Sequence, residues 1–143
     1  MKSLLMTLIA IISIGTTTLA AAHKQDSDKP EAIKSETFTL RGGSQRKVDR
    51  GELTIKFISV LEDSRCPVGV NCITAGNAKI EVKVIDRRGR TKVVELNTNR
   101  EPRGDKFGKY SINLVNLSPE PKQGGQPARS QYRARLSIQR LSS

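Results

Sequence analysis

The chain has 143 residues, with 25 lysine and arginine side chains against 14 acidic ones and a formal net charge of +11. This length suits one small domain, and such a charge favours anionic partners, although it also serves solubility alone. The chain has no tryptophan and only 3% aromatic residues, which argues against a nucleic-acid surface built on base stacking.

Residues 1–22 predict a secretory signal peptide. Lys2 supplies a positive start, residues 4–14 form an apolar run that is short for a bilayer span, and Ala20-x-Ala22 fits the small-residue cleavage rule. We expect cleavage after Ala22, and the alternative is an uncleaved membrane anchor. The mature protein is therefore expected in the bacterial periplasm or outside the cell, without a membrane span.

Residues 23–35 are polar and carry almost no apolar side chains. A segment of this composition cannot bury enough apolar surface to offset the entropy of folding. We predict a disordered tail over residues 23–35 and one folded domain over residues 36–143.

The remaining chain alternates apolar and polar side chains with a period of two, which is typical of half-buried strands. No stretch shows a convincing helical period. The pattern predicts an all-β domain, a single antiparallel β-sandwich of about seven strands, with a small β-barrel as the second choice. The predicted inward-facing side chains are Phe38, Leu40, Leu53, Ile55, Phe57, Ala78, Ile80, Val82, Val84, Tyr110, Ile112, Leu114, Tyr132, Ala134, Leu136 and Ile138.

Irregular positions break this pattern in four places. Phe57 and Ile58 are adjacent apolar residues, which predicts a β-bulge or a strand covered on both faces. Residues 86–90 predict a hairpin turn. Residues 98–108 and 118–131 are rich in glycine, proline or charge, and we predict a basic loop and a long connection there.

Both cysteines lie between two predicted strands, in a C-x5-C spacing. In an oxidising compartment Cys66 and Cys72 are expected to form a disulfide, and Pro67 and Gly69 make the intervening turn easier. Closing so short a ring stabilises the fold by only about 2 kcal/mol on the chain-entropy argument. We therefore expect the bond to shape a loop that joins two strands, with a rigid recognition loop as the alternative.

Two other roles for the cysteines are disfavoured. A redox-active pair usually has the C-x-x-C spacing and a following helix, and neither is present. A metal site needs further soft ligands, and the single histidine, His23, lies on the predicted tail.

The sequence E-D-S-R-C-P, followed by G-V-x-C and then A-G-N-A, resembles a motif of small exported bacterial proteins without a known activity. The resemblance covers residues 53–84 and implies a signal sequence, a strand that ends in the motif and several further strands. The chain departs from the motif at Thr74, where a tryptophan is expected. Within the motif, Gly76 permits a positive φ and Asn77 is suited to cap the loop backbone.

The residues before the first cysteine are candidates for a polar binding patch: Asp63, Ser64 and Arg65. They also have a structural interpretation. Asp63 and Ser64 suit turn hydrogen bonds to loop amides, and Arg65 suits a bidentate pair with Asp63 or Glu62.

No residue pattern points to catalysis. The predicted domain has no histidine for acid–base or nucleophilic chemistry. Glu62 and Asp63 are neighbours on a predicted strand and point to opposite faces, which does not suit a glycosidase pair. We predict that the protein is not an enzyme and has no cofactor and no metal site.

Three functions remain as hypotheses. The first is a structural or binding module of the cell envelope, with an exported protein or an envelope polymer as partner. The second is binding of an anionic polymer or lipopolysaccharide through two basic turns, provided that both lie at one end of the domain. The third is inhibition of a secreted hydrolase, with the cysteine ring as a wedge and Arg65 as the specificity residue. The basic residues of the two turns are Arg87, Arg88, Arg90 and Lys92, and Arg100, Arg103, Lys106 and Lys109.

Overall fold

A computed structural model describes residues 35–142 of the chain. The predicted signal peptide and residues 23–34 of the predicted tail lie outside the described residues. Ser35, the last residue of that tail, begins the first strand. Within residues 35–142, no helix is long and apolar enough to cross a membrane.

Eight strands form two antiparallel sheets of four strands each, packed face to face as a β-sandwich. The predicted fold class is confirmed, and the sheets do not close into a barrel. The strands are β1 (Ser35–Arg41), β2 (Gln45–Val48), β3 (Leu53–Asp63), β4 (Ala78–Asp86), β5 (Thr91–Asn97), β6 (Gly104–Phe107), β7 (Tyr110–Ser118) and β8 (Arg133–Arg140). One sheet has the order β1-β8-β7-β6, and the other has the order β2-β3-β4-β5.

The hydrophobic core lies between the two sheets. Every side chain that the alternation predicts to face inward is buried, and Leu53, Ile55 and Phe57 are fully so. Four further buried residues, Val48, Val94, Leu96 and Leu117, complete the cluster. Burial of these apolar faces is the main force that holds the sheets together.

The prediction of a loop over residues 98–108 is wrong in part, because Gly104–Phe107 form β6. This strand is a short edge strand that pairs only with β7. Phe107 is its one apolar side chain, so no alternation marks it in the sequence. Asp105 instead forms an ion pair with Lys92 of β5, at 2.7 Å between Oδ2 and Nζ, which links the two sheets along one edge.

The predicted bulge in β3 is confirmed. The register between β3 and β4 shifts between Phe57 and Ser59 and again between Val60 and Glu62. Ile58, the extra apolar residue, is 36% exposed. The shifts leave Phe57 in the core and bring Asp63 to a buried position where the strand ends.

Two buried hydrogen bonds between a tyrosine and a carboxylate join the sheets. The Tyr110 hydroxyl at the start of β7 donates to Asp49, which follows β2, at 2.5 Å. The Tyr132 hydroxyl just before β8 donates to Asp63 at 2.9 Å. Each bond satisfies polar groups that burial removes from water, so the pairs fix how one sheet sits on the other.

Alkaline titration tests these bonds, because the chain has only two tyrosines. Burial, together with the hydrogen bond to Asp63, raises the pKa of Tyr132 to about 12. Burial and Asp49 likewise raise the pKa of Tyr110. We expect almost no tyrosinate absorbance at pH 10 in the folded protein, whereas the urea-unfolded chain titrates near its ordinary value of about 10.

The same two pKa shifts make the free energy of unfolding depend on pH. A folded-state pKa above the unfolded value contributes stability that is fully present below about pH 10 and is lost as the pH rises through the folded pKa. The free energy of unfolding should therefore fall between about pH 10 and pH 12. If half of the tyrosine side chains ionised near pH 10 while the far-ultraviolet circular dichroism stayed unchanged, the raised pKa values of both tyrosines would be contradicted.

Candidate functional site

The motif that holds both cysteines forms the connection between β3 and β4. Cys66 and Cys72 are joined by a disulfide with a Cα–Cα distance of 5.9 Å, as predicted. The Cys66 amide donates to the Ala75 carbonyl at 3.0 Å and closes the base of the loop. We refer to residues 64–77 as the cysteine loop.

Asp63 and Arg65 form a bidentate ion pair, which is one of the two pairings predicted for Arg65. Arg65 Nε donates to Asp63 Oδ1 at 2.8 Å, and Arg65 Nη2 donates to Asp63 Oδ2 at 2.7 Å. The guanidinium also donates to the carbonyls of Leu117 and Pro119, the second at 2.9 Å. The Asp63 side chain is fully buried and that of Arg65 is 9% exposed, so this pair lies inside the protein.

The surroundings of Asp63 keep its carboxylate charged. Burial raises the pKa of Asp63, but hydrogen bonds from Arg65 and Tyr132 and the positive charge of Arg65 outweigh it, so the pKa lies below its ordinary value. The Gln126 side chain donates to the Asp63 carbonyl at 2.6 Å. This network anchors the end of β3 to the β7–β8 connection, and it does not favour Arg65 as a residue that enters the specificity pocket of a hydrolase.

Ser64 and Asn77 hold the two sides of the cysteine loop together. The Ser64 hydroxyl donates to the Asn77 carbonyl at 3.0 Å, and the Asn77 amide donates to the Ser64 hydroxyl at 3.2 Å. Asn77 is 1% exposed. Its side chain donates to Asn97 at 2.8 Å and accepts from the Asn99 amide at 3.1 Å. The cap predicted for Asn77 is therefore present, whereas its partners Asn97 and Asn99 carry no signal in the sequence.

The opposite end of the sandwich carries a basic groove of about 610 Å³. It lies between the β4–β5 turn and the β6–β7 turn, and its lining includes Arg87, Arg88, Arg90, Phe107 and Lys109. The predicted hairpin at residues 86–90 is confirmed, because the Asp86 amide donates to the Arg90 carbonyl at 2.9 Å. No pattern in the sequence indicates that Phe107 belongs to the same groove.

Two of the groove arginines have acidic partners. Arg87 pairs with Glu52 at 3.2 Å, and Arg90 pairs with Asp86 at 2.6 Å. Asp86 also accepts from the amides of Arg88 and Arg90, at 2.9 Å each, so it fixes the shape of the turn. The Arg88 side chain is exposed and makes no ion pair with any residue in the described part of the chain.

The two predicted basic turns come together only in part. Lys109 lies in the groove, with Nζ 5.6 Å from the ring centre of Tyr110. Lys106 lies beside Lys92, whose Nζ donates to the Lys106 carbonyl at 3.2 Å. Arg103 lies at the other end of β6, where its carbonyl accepts from the Leu114 amide. Arg103 is therefore separated from the groove by the length of a strand.

The described residues of the groove offer a ligand charged groups and hydrogen bonds. No cluster of three histidine, cysteine or acidic side chains that could hold a metal ion occurs within residues 35–142. The groove contributes guanidinium and ammonium groups beside an aromatic side chain, and both of its carboxylates are held by arginines. Comparisons with models of protein families, with curated proteins and with solved structures find no match for this chain.

Proposed function

We propose that the protein is an exported, non-catalytic binding module that takes an anionic carbohydrate polymer of the cell envelope in its basic groove. The observation that supports this is the grouping of Arg87, Arg88, Arg90 and Lys109 around one concave surface at the end of the sandwich. Concave sites with a few convergent polar groups are the usual form of a ligand site.

The residues of the groove suit an acidic sugar. A guanidinium donates in a planar fork that matches carboxylate, sulfate and phosphate oxygens. Phe107, which is partly exposed, provides apolar surface on which the carbon face of a sugar ring can lie. Glu52 and Asp86 each neutralise one arginine of the groove. The two other cations of the groove, Arg88 and Lys109, have no acidic partner among the described residues.

The same arrangement gives no support to catalysis. The groove lining contains no histidine, and its two carboxylates are engaged by Arg87 and Arg90. Desolvation raises the pKa of Asp86, but hydrogen bonds from Arg90 and Arg88 outweigh it and lower the pKa, so this carboxylate is a weak proton acceptor. Binding without turnover is therefore the function that the geometry favours.

Binding to heparin, a sulfated acidic polysaccharide, tests the proposal. We expect salt-sensitive retention of residues 23–143 on heparin resin, because exposed charges are screened by salt. Replacing both Arg88 and Lys109 by alanine should weaken binding by about tenfold or more, since each lost charged hydrogen bond costs about 1.5–3 kcal/mol. Neither side chain holds the turn, so the variant should keep the stability of the parent protein.

Replacing both Arg100 and Arg103 by alanine is the matched control, because it removes two exposed cations from the segment before β6, outside the groove lining. We expect the dissociation constant of this variant to stay within about twofold of the parent value, as a screened long-range charge allows. Equal weakening by the groove variant and by the Arg100 and Arg103 double variant would show binding to net charge alone and would refute the groove as a site.

A further inference from the structure

Two apolar side chains project from the cysteine loop into solvent. Ile73 is 105% exposed and Val68 is 60% exposed. The loop that carries them is rigid, because the disulfide closes it and the Val68 amide donates to the Pro121 carbonyl at 3.0 Å. A rigid loop presents apolar groups without an ordering cost on binding.

The outer face of the β1-β8-β7-β6 sheet carries arginines and no acid. Arg41 lies directly opposite Arg133 in the register, and Arg135 follows two residues along β8. Like charges in directly opposite positions destabilise a sheet. We call Arg41, Arg133 and Arg135 the arginine face. The other outward positions of β1, β7 and β8 are Ser35, Thr37, Thr39, Ser111, Asn113, Val115, Asn116, Ser118, Ser137 and Gln139.

The arginine face and the cysteine loop lie at the same end of the sandwich. Arg133 pairs with Ser118 in the register. The carbonyls of the residues on either side of Ser118 accept hydrogen bonds from Arg65, which immediately precedes the ring. The basic groove lies at the opposite end.

We propose that this end docks on an anionic lipid surface, where Ile73 and Val68 enter the interfacial region and the arginine face contacts the phosphates of the headgroups. The proposal does not rest on the function of the groove. Stable attachment to a membrane surface requires two signals, and an apolar insertion combined with several cations supplies both.

A lipid surface fits this end better than a second protein does. A stable protein interface buries about 1,200–2,000 Å² around an apolar centre, whereas the cysteine loop exposes only two large apolar side chains, Val68 and Ile73. Lipid headgroups that are negatively charged also suit a face whose charged side chains are all positive. A bilayer needs no shape complementarity with the remainder of this face, whose outward side chains on β1, β7 and β8 are uncharged.

The absence of tryptophan makes the insertion measurable. The experiment uses residues 23–143, because every core residue within the described residues 35–142 lies between Phe38 and Ile138. In Ile73→Trp, we expect the emission maximum to move to shorter wavelength with vesicles of phosphatidylcholine and phosphatidylglycerol, and to stay unchanged with phosphatidylcholine alone. Val93→Trp is the matched control, since Val93 is 49% exposed on the other sheet, and its emission should not move.

Co-sedimentation with the same vesicles tests each contact. Ile73→Ser should lower the apparent affinity by about tenfold or more, because the apolar transfer is lost. Each single substitution Arg41→Ala, Arg133→Ala or Arg135→Ala should lower it by about fivefold. Arg88→Ala in the groove should change it by no more than about twofold, because that charge lies far from the docking end.

Three results would overturn the proposal. The first is an unchanged emission of Ile73→Trp with anionic vesicles, which would leave the loop to a protein partner. The second is an equal shift with neutral vesicles. The third is wild-type sedimentation of Ile73→Ser. Circular dichroism checks that each variant is folded, and a folded variant is expected because Ile73 makes no contact with the core.

Discussion

We expect Arg65→Ala to lower the free energy of unfolding by about 3–5 kcal/mol. The substitution leaves the carboxylate of Asp63 fully buried without its cation. It also removes the donors for the carbonyls of Leu117 and Pro119, which accept from the guanidinium. Urea denaturation followed by circular dichroism measures the change as a lower midpoint at constant m-value.

Arg87→Ala is the matched control for this prediction. Its ion pair with Glu52 is solvent-exposed, with side-chain exposures of 78% and 40%. Exposed pairs contribute about 0–1 kcal/mol, because water screens them. If the two arginine substitutions cost the same, then the buried network around Asp63 does not anchor the cysteine loop.

The pH dependence gives a second measurement of the same pair. Since the pKa of Asp63 is lowered in the folded protein, its contribution to stability is present above the unfolded value of about 3.9 and is lost as the pH falls through the folded pKa. The stability gap between the parent protein and Arg65→Ala should therefore be constant near neutral pH and should narrow below about pH 4.

The fold class could be predicted from the sequence, because the two faces of each strand of a sandwich follow a local pattern. Each strand of the core shows its inward face in a few consecutive residues, as in Ala78, Ile80, Val82 and Val84 of β4. The period of two follows from strand geometry and needs no knowledge of distant partners. β6 escaped detection because an edge strand with one apolar residue has no such pattern.

The candidate site was only partly predictable, because its contacts are between residues far apart in the chain. The residues of the Asp63–Arg65 pair are two positions apart, and the pair was predicted, but its partners Leu117 and Tyr132 lie more than 50 residues further along the chain, in β7 and just before β8. The groove likewise depends on the connection from β5 to β6, which crosses from one sheet to the other. This crossing brings Lys109 beside the arginines. No local pattern carries that information.

The cysteine loop has two parts with different roles. Its base is polar and adjoins two buried residues, Asp63 at the end of β3 and Asn77, and their contacts with Arg65 and Ser64 explain why these residue types occur there. Its tip is exposed and apolar, and nothing in the packing of the domain requires Ile73. Substitutions at the base should therefore change stability, whereas substitutions at the tip should change binding.

Gly76→Ala should destabilise the protein by about 3 kcal/mol or more, from left-handed strain and overpacking together. Gly76 has a φ of 66°, as its predicted role requires. A Cβ atom there would lie 1.8 Å from the carbonyl oxygen of Ser64, which is backbone and cannot turn away. The clash falls where Ser64 pairs with Asn77, so it would separate the two sides of the loop. The urea midpoint measures the loss.

Gly89→Ala separates the clash from the strain. Gly89 has a φ of 81° in the β4–β5 turn, and a Cβ atom there meets nothing within 4 Å. It should therefore cost only the left-handed strain of about 1–2 kcal/mol. A larger cost at Gly76 than at Gly89 then measures how tightly the base of the cysteine loop is closed. Equal costs would mean that the backbone around Ser64 relaxes, and that the loop is held by its disulfide and by Arg65 more than by the close approach of its two sides.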